Sequence, residues 1–149
     1  MKFILSLMML SLLHSNTPWL TNFEKAKDEA AGSHKLIVLN FSGSDWCIPC
    51  MRLHKDIFES EVFRKYAEDN LVLVNADFPR LKKNQLPKEL SKQNDALADQ
   101  YNPHGNFPLT LLLDAQGKVL KEWEGYPNET PDKFLTEIDE VVHANSDSK

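Results

Sequence analysis

The stretch SDWCIPCM, residues 44–51, holds both cysteines of this 149-residue chain, three positions apart. By simple pair counting, two cysteines placed at random in such a chain would show this spacing only about once in 75 arrangements, so the spacing points to chemistry. Residues 36–41 (LIVLNF) form a short, continuously apolar run that is typical of a strand buried on both faces. From Cys50 to about residue 67 the apolar positions recur at helical spacing. Cys47 is therefore predicted at the N-terminus of a helix that follows a buried strand.

This position suits a nucleophilic sulfur. Unpaired backbone N–H groups and the helix dipole favour an anion at a helix N-terminus, and the thiolate is the nucleophile in disulfide exchange. Cys50 lies one turn later on the same side of the helix, so it is placed for a second attack that releases a bound substrate. Pro49 suits the first helical turn, where its missing N–H costs no helix bond. The pattern predicts a reversible dithiol–disulfide couple, with Cys47 as nucleophile and Cys50 as resolving thiol.

Two other interpretations of the cysteines stay open. A static disulfide between near neighbours would close only a tiny loop and would stabilise the fold little. His54 follows Cys50 by four positions, so a three-ligand zinc site or a two-thiolate copper carrier is conceivable, although a closed zinc site takes four ligands. The alternative function is thus a non-enzymatic copper or zinc carrier, or a redox-silent binding protein. We assign no resident metal and no diffusible cofactor.

The remaining patterns predict an α/β domain. Residues 71–74 form a second buried-type strand, parallel to the first, because the connection between the two carries a helix. Residues 109–113 and 119–123 flank a turn at Gly117 and are predicted to form an antiparallel hairpin. The helix over residues 50–67 is predicted to bend near residues 59–60. Further helices are predicted over residues 19–31, 87–101 and 130–142, the first of which starts from a Thr17-Pro18 cap.

These motifs resemble the thioredoxin superfamily, in particular exported bacterial thioredoxin-like thiol:disulfide interchange proteins. The resemblance rests on residues 43–50 (GSDWCIPC), residues 106–113 (NFPLTLLL), the hairpin around Gly117 and Gly125 after the last strand, and it covers about residues 36–142. It implies a three-layer sandwich, with a central mixed sheet of parallel strands plus a C-terminal antiparallel hairpin, flanked by helices.

The resemblance also implies site residues that spacing alone does not assign. Pro108 matches a cis-proline that lies across from the cysteines and leaves the preceding backbone free to pair with a substrate. Trp46 and Phe107 would contact the substrate beside it. One match is missing, because the buried aspartate of thioredoxins is replaced here by Asn40 or Phe41, neither of which ionises. Asp45 is therefore a candidate for proton transfer, with a surface or capping role as the alternative.

The direction of electron flow is predicted from the residues between the cysteines. Ile48-Pro49 lacks the histidine of strongly oxidising relatives, so the thiolate is held less firmly and the couple is more reducing. We expect the protein to reduce disulfides in other proteins and to be reduced again by an electron-donor protein. A basic segment over residues 80–92 is either a partner-docking surface or ordinary solvated charge.

Composition limits the partners and the compartment. A net charge of −5, from 22 acidic and 17 basic residues, predicts no nucleic-acid partner and no polybasic membrane surface.

Lys2 and the apolar run over residues 3–13 resemble a secretory signal, with an uncleaved anchor or a buried helix as the alternatives. We expect a signal peptide over residues 1–15, one domain over 16–144 and a polar tail over 145–149. The mature protein is expected to be exported, for example to the periplasm, monomeric, and without stable membrane insertion.

Overall fold

The computed structural model describes residues 17–146, and the predicted signal peptide over residues 1–15 lies outside them. Within these residues one mixed sheet has the strand order β1-β3-β2-β4-β5. The first three strands in this order are parallel, and β4 and β5 are antiparallel to their neighbours. The strands are β1 (Trp19–Leu20), β2 (Leu36–Ser42), β3 (Leu71–Asp77), β4 (Leu109–Leu113) and β5 (Val119–Glu124). The predicted parallel pair and the predicted hairpin are both confirmed.

The helices fill the connections between the strands. They are α1 (Phe23–Ser33), α2 (Ile48–Leu53), α3 (Glu61–Asn70), α4 (Lys88–Tyr101) and α5 (Pro131–Ser146). A π-helical turn, His54–Phe58, continues α2 directly, and the chain then bends at residues 59–60 as predicted. Ser60 caps the next helix, because its Oγ accepts the Phe63 N–H at 3.3 Å. No helix within residues 17–146 has the length and apolar content needed to cross a bilayer.

The predicted start of the first helix was wrong. Asn22, rather than Thr17, is the N-cap, and its Oδ1 accepts the Lys25 N–H at 2.9 Å. Trp19 pairs with Leu73 at the edge of β3, and its ring lies 4.9 Å from that of Phe58. The Glu, Lys and Ala residues that favour a helix begin only at Glu24, so residues 19–22 (WLTN) are free to extend, and Trp19 and Leu20 instead pair with the exposed edge of β3.

The last helix also differs from its predicted bounds. It continues to Ser146, four residues beyond the predicted end, so the first two residues of the predicted polar tail are helical. Residues 147–149 lie outside the described part of the chain.

Two hydrophobic cores cover the two faces of the sheet. Alternation along β2 turns Ile37, Leu39 and Phe41 toward α1 and α4, and turns Leu36 and Val38 toward the other helices. The second core is closed by side chains from α2, the π-helical turn, α3 and α5, namely Leu53, Ile57, Phe58, Phe63, Ala67, Phe134 and Ile138. The predicted three-layer sandwich is therefore confirmed.

This topology brings three chain segments to one edge of the sheet. The parallel strands β2 and β3 both end there, because Ser42 pairs with Asp77. Antiparallel β4 begins there, because Leu109 pairs with Phe41. Residues 43–50, 78–85 and 106–108 therefore meet at this edge, which is where polar and reactive side chains of an α/β sheet collect.

Candidate active site

Cys47 is the N-cap residue of α2. Its Sγ accepts the Cys50 N–H at 3.3 Å, and its carbonyl accepts the Met51 N–H at 3.1 Å. The two cysteines are joined by a disulfide, with their Cα atoms 5.3 Å apart. Both are almost covered, with 4% of Cys47 and 3% of Cys50 exposed, so a partner must approach closely to reach either sulfur.

A tight turn delivers the chain to Cys47. The Gly43 carbonyl accepts the N–H groups of Trp46 and Cys47, at 3.2 and 2.9 Å. A Cβ atom on Gly43 would overlap the Trp46 ring, so only glycine allows this close approach. The indole N–H of Trp46 donates to the Phe78 carbonyl at 2.7 Å, which ties the turn to the segment after β3.

Phe107 and Pro108 lie next to Trp46. The Phe107–Pro108 peptide bond is cis, and the Pro108 carbonyl accepts the Gly125 N–H at 2.8 Å. The half-buried Phe107 ring lies 5.4 Å from the rings of both Trp46 and Phe78 in edge-to-face geometry. Trp46, Phe107 and Pro108, which the resemblance implied to be substrate contacts, are thus brought together beside the cysteine turn.

Asp45 holds the loop after β3. Its carboxylate accepts the N–H groups of Arg80 at 2.9 Å and Leu81 at 3.0 Å, and the Asn84 amide at 3.0 Å. Chiefly through the Arg80 N–H, these bonds hold the pKa of Asp45 below its ordinary value of 3.8. A carboxylate stabilised in this way is a poor proton acceptor.

Replacing Asp45 with asparagine tests this role. The amide group would put N–H donors where Oδ2 now accepts the Leu81 N–H and the Asn84 amide, so we expect the Leu81 amide to exchange with solvent at least about tenfold faster. Because the pKa of Asp45 is lower in the folded protein, protection in the wild type should hold above pH 3.8 and fade as pH drops through the lowered pKa. Hydrogen exchange followed by mass spectrometry measures both effects. Unchanged exchange in Asp45→Asn would contradict the role.

A polar cleft lies on the Cys50 side of the site. The cleft has a volume of about 420 Å³, and Cys50, Asn40, Ser42, Asn75, His54 and Glu59 are among its lining residues. The Asn40 amide donates to Asn75 Oδ1 at 3.1 Å, and Thr110 Oγ1 donates to Asn40 Oδ1 at 3.2 Å. A neutral amide network therefore stands on the strand beneath the cysteines, where the resemblance led us to look for an ionisable group.

His54 has partners other than the cysteines. Its Nε2 lies 3.3 Å from Glu59 Oε1, and its ring packs near those of Trp19 and Phe58. In the part of the chain that the structure describes, no group of three or more histidine, cysteine or acidic side chains is arranged to hold a metal ion.

Several site residues were missed by the sequence analysis. Phe78, Asn75 and Asp77 all belong to β3 or follow it, and Asp77 accepts bonds from the backbone N–H and the hydroxyl of Ser44. The signal was present, because side chains at the ends of adjacent parallel strands lie at one edge.

Comparisons with known proteins agree with this geometry. A disulfide bond reductase, DsbH, of Chlamydia pneumoniae is 37% identical over 106 residues, which are 71% of this chain and 61% of that protein. The thioredoxin-related protein DsbJ of the same organism is 25% identical over 128 residues, 86% of this chain and 36% of that protein. The solved structure of a DsbH oxidoreductase superposes with a TM-score of 0.77 at 30% identity, covering 87% of this chain and 86% of that one. Residues 23–141 match the family model of the thioredoxin-like domain, and the chain therefore belongs to the thioredoxin-like family.

Proposed function

We propose that this protein is a thiol:disulfide oxidoreductase that reduces disulfides in other proteins. One observation carries the proposal, namely that Cys47 caps α2 with its sulfur on the Cys50 N–H while remaining within bonding reach of the Cys50 sulfur. Such a sulfur is stabilised as a thiolate and can also be displaced by its neighbour. The name of the relative DsbH, a disulfide bond reductase, supports the direction.

The reaction consists of two exchanges. The reduced Cys47 thiolate attacks one sulfur of the client disulfide, so a Cys47–client bond forms, the client disulfide breaks, and the released client thiolate takes up a proton. The Cys50 thiolate then attacks Cys47 Sγ, which forms the Cys47–Cys50 disulfide and releases the second client thiolate. The client gains two electrons and two protons, and the protein is left in the oxidised state of the structure. A dithiol electron-donor protein must then reduce it.

Substrate contacts are proposed for Trp46, Phe107 and Pro108. The support for these contacts is that the Trp46 and Phe107 rings lie 5.4 Å apart, next to the turn that carries Cys47. Because only 4% of Cys47 is exposed, we infer that clients present their disulfide on an extended or locally unfolded segment.

Proton transfer from Cys50 is assigned to water in the polar cleft rather than to Asp45. Cys50 lines this cleft together with Asn40 and Asn75, whereas the Asp45 carboxylate is occupied by the loop after β3. The neutral amides can orient a water molecule without taking the proton themselves.

We also propose that the protein acts outside the cytoplasm and as a monomer. The support for export is the positively charged, then apolar N-terminal sequence. The mass of the protein recovered from its native cell, which is lowered by signal removal, tests export, and light scattering tests the monomer.

The proposed activity is tested with the wild-type protein, reduced and freed of reductant, mixed with insulin. We expect one Cys47–Cys50 disulfide to form for each insulin disulfide that is lost, measured by thiol counting and mass spectrometry. Two thiols that stay reduced in the presence of insulin would contradict the proposal. Stoichiometric copper or zinc in such an inactive preparation would instead favour the carrier alternative.

A further inference from the structure

Three cationic side chains stand beside the active site without an acidic partner. The loop over residues 78–85 reads FPRLKKNQ and contains Arg80, Lys82 and Lys83 but no acid. All three side chains belong to exposed residues, and none forms an ion pair with any residue in the described range 17–146. We call Arg80, Lys82 and Lys83 the basic ledge.

The ledge is held in place next to Cys47. The Arg80 guanidinium lies 3.7 Å from the centre of the Trp46 ring, and Trp46 directly precedes Cys47. The Asp45 carboxylate accepts two backbone N–H groups of the loop, and Lys82–Asn84 form a single 3-10 turn. A charged surface on an ordered loop binds a partner at a smaller entropy cost than a disordered one.

Nearby carboxylates offset the charge of the ledge only in part. Asp45 and Asp77 accept hydrogen bonds from neutral backbone and side-chain donors and keep their charges, so two negative charges stand beside the three positive charges of the ledge. The whole chain carries a charge of −5, so its general field repels acidic proteins and the ledge is a local exception.

Exposed apolar side chains lie on the same segments. Of the five large apolar side chains that are exposed in residues 17–146, three lie at the active site: Ile48 at 68%, Leu81 at 48% and Met51 at 43%. Exposed apolar groups next to unpaired cations are typical of a protein-docking surface.

We propose that the basic ledge recognises client segments that carry acidic residues next to the disulfide. This inference rests on the proposed reductase function and specifies its substrate class. The ledge attracts the carboxylates of the client. The apolar residues of the client contact Ile48, Leu81 and Met51, and the client disulfide is thereby presented to Cys47. Charge complementarity of this kind acts mainly on the rate of encounter and weakens with salt.

The test uses three synthetic peptides, each with one cysteine and each oxidised to its disulfide-linked dimer. They are identical except that the cysteine is flanked by aspartates, lysines or serines. With reduced wild-type protein at low ionic strength, we expect the aspartate peptide to be reduced about tenfold faster than the lysine peptide, and the difference to collapse at about 0.5 M salt.

Charge-reversal variants distinguish an effect of the basic ledge from an effect of the net charge of the whole protein. Lys82→Glu with Lys83→Glu should invert the preference, measured as the ratio of the aspartate-peptide rate to the lysine-peptide rate within the same variant. The matched control is Lys65→Glu with Lys118→Glu, which changes the net charge equally. Lys118 is exposed in the β4–β5 turn, at the opposite end of the sheet from Cys47, so this control should keep the wild-type preference.

Two results would overturn the inference. Equal rates for the aspartate and lysine peptides with the wild type, or an unchanged preference in the Lys82 and Lys83 double variant, would show that the ledge does not select clients. If the wild type reduced none of the peptides, including the serine peptide, the reductase function itself would fail and the ledge proposal with it.

Discussion

Replacing Cys47 with serine is expected to lower the rate of protein disulfide reduction by at least about 10³-fold, because the attacking sulfur is lost and a serine hydroxyl does not form a thiolate equivalent. The loss should be equally large for every client, including small disulfides. The fold should remain intact, since the Cys47–Cys50 disulfide closes only a tiny loop, and a serine oxygen at position 47 can accept the same Cys50 N–H.

Replacing Cys50 with serine should have a different result. Cys47 can still attack a client, but no second thiol releases the product, so a covalent Cys47–client disulfide accumulates. The burial of residue 50, of which 3% is exposed, supports this outcome, because a competing thiol from solution reaches the mixed disulfide less easily in this environment.

Non-reducing gels and intact-mass spectrometry distinguish the two variants. With insulin, Cys50→Ser should gain the mass of one whole insulin molecule, because opening one interchain disulfide leaves the two chains joined by the other. Cys47→Ser should gain none, and the Cys50→Ser adduct should return to the mass of the free protein after treatment with excess dithiol. The control is the double variant, which should neither reduce nor trap. Trapping by Cys47→Ser rather than by Cys50→Ser would reverse the proposed roles.

The sequence was most informative where one short stretch determines the local structure. The apolar run before Gly43 and the helical spacing after Cys50 place the cysteines at a strand end and a helix start, and the structure confirms both positions. Such features depend on neighbours in the chain, and the order of hydrophobic runs then limits the topology to very few choices.

The parts that could not be predicted depend on contacts between distant segments. The partners of Asp45 are 35 to 39 positions away, in a loop whose path is set by the end of β3. The Asn40–Asn75 bond requires the register of β2 against β3, which the hydrophobic pattern alone does not settle. The edge strand at Trp19 is likewise stabilised by β3 and by Phe58, not by its own composition.

The amide network of Asn40, Asn75 and Thr110 places neutral side chains on the strands beneath the cysteines. Asn40, Asn75 and Thr110 satisfy one another on three neighbouring strands, so the polar cleft can remain hydrated beside Cys50 without a buried charge. A neutral network leaves the reactivity of the couple to Cys47 and its helix, which is consistent with the role that we assign to water in the second exchange.

The free energy of unfolding should depend most strongly on the second hydrophobic core, which packs against α2 and the π-helical turn. Phe134 of α5 is fully buried, and its ring lies 4.9 Å from that of Trp123 and 6.2 Å from that of Phe58. Phe134→Ala removes these contacts and leaves a cavity, because the surrounding strands and helices can collapse only in part. We expect the free energy of unfolding to fall by about 3–5 kcal/mol, and Tm to fall by about 10–20 °C.

A graded series separates cavity formation from a general effect of substitution. Phe134→Leu keeps most of the volume and should cost less than half as much, whereas Val62→Ala, at a side chain that is 41% exposed, should change the free energy by no more than about 0.5 kcal/mol. Urea unfolding of the oxidised proteins measures all three. Phe134 contacts neither cysteine, so the folded fraction of Phe134→Ala should reduce insulin at the wild-type rate. A loss below about 1 kcal/mol would mean that α5 is not part of the core that supports the active-site helix.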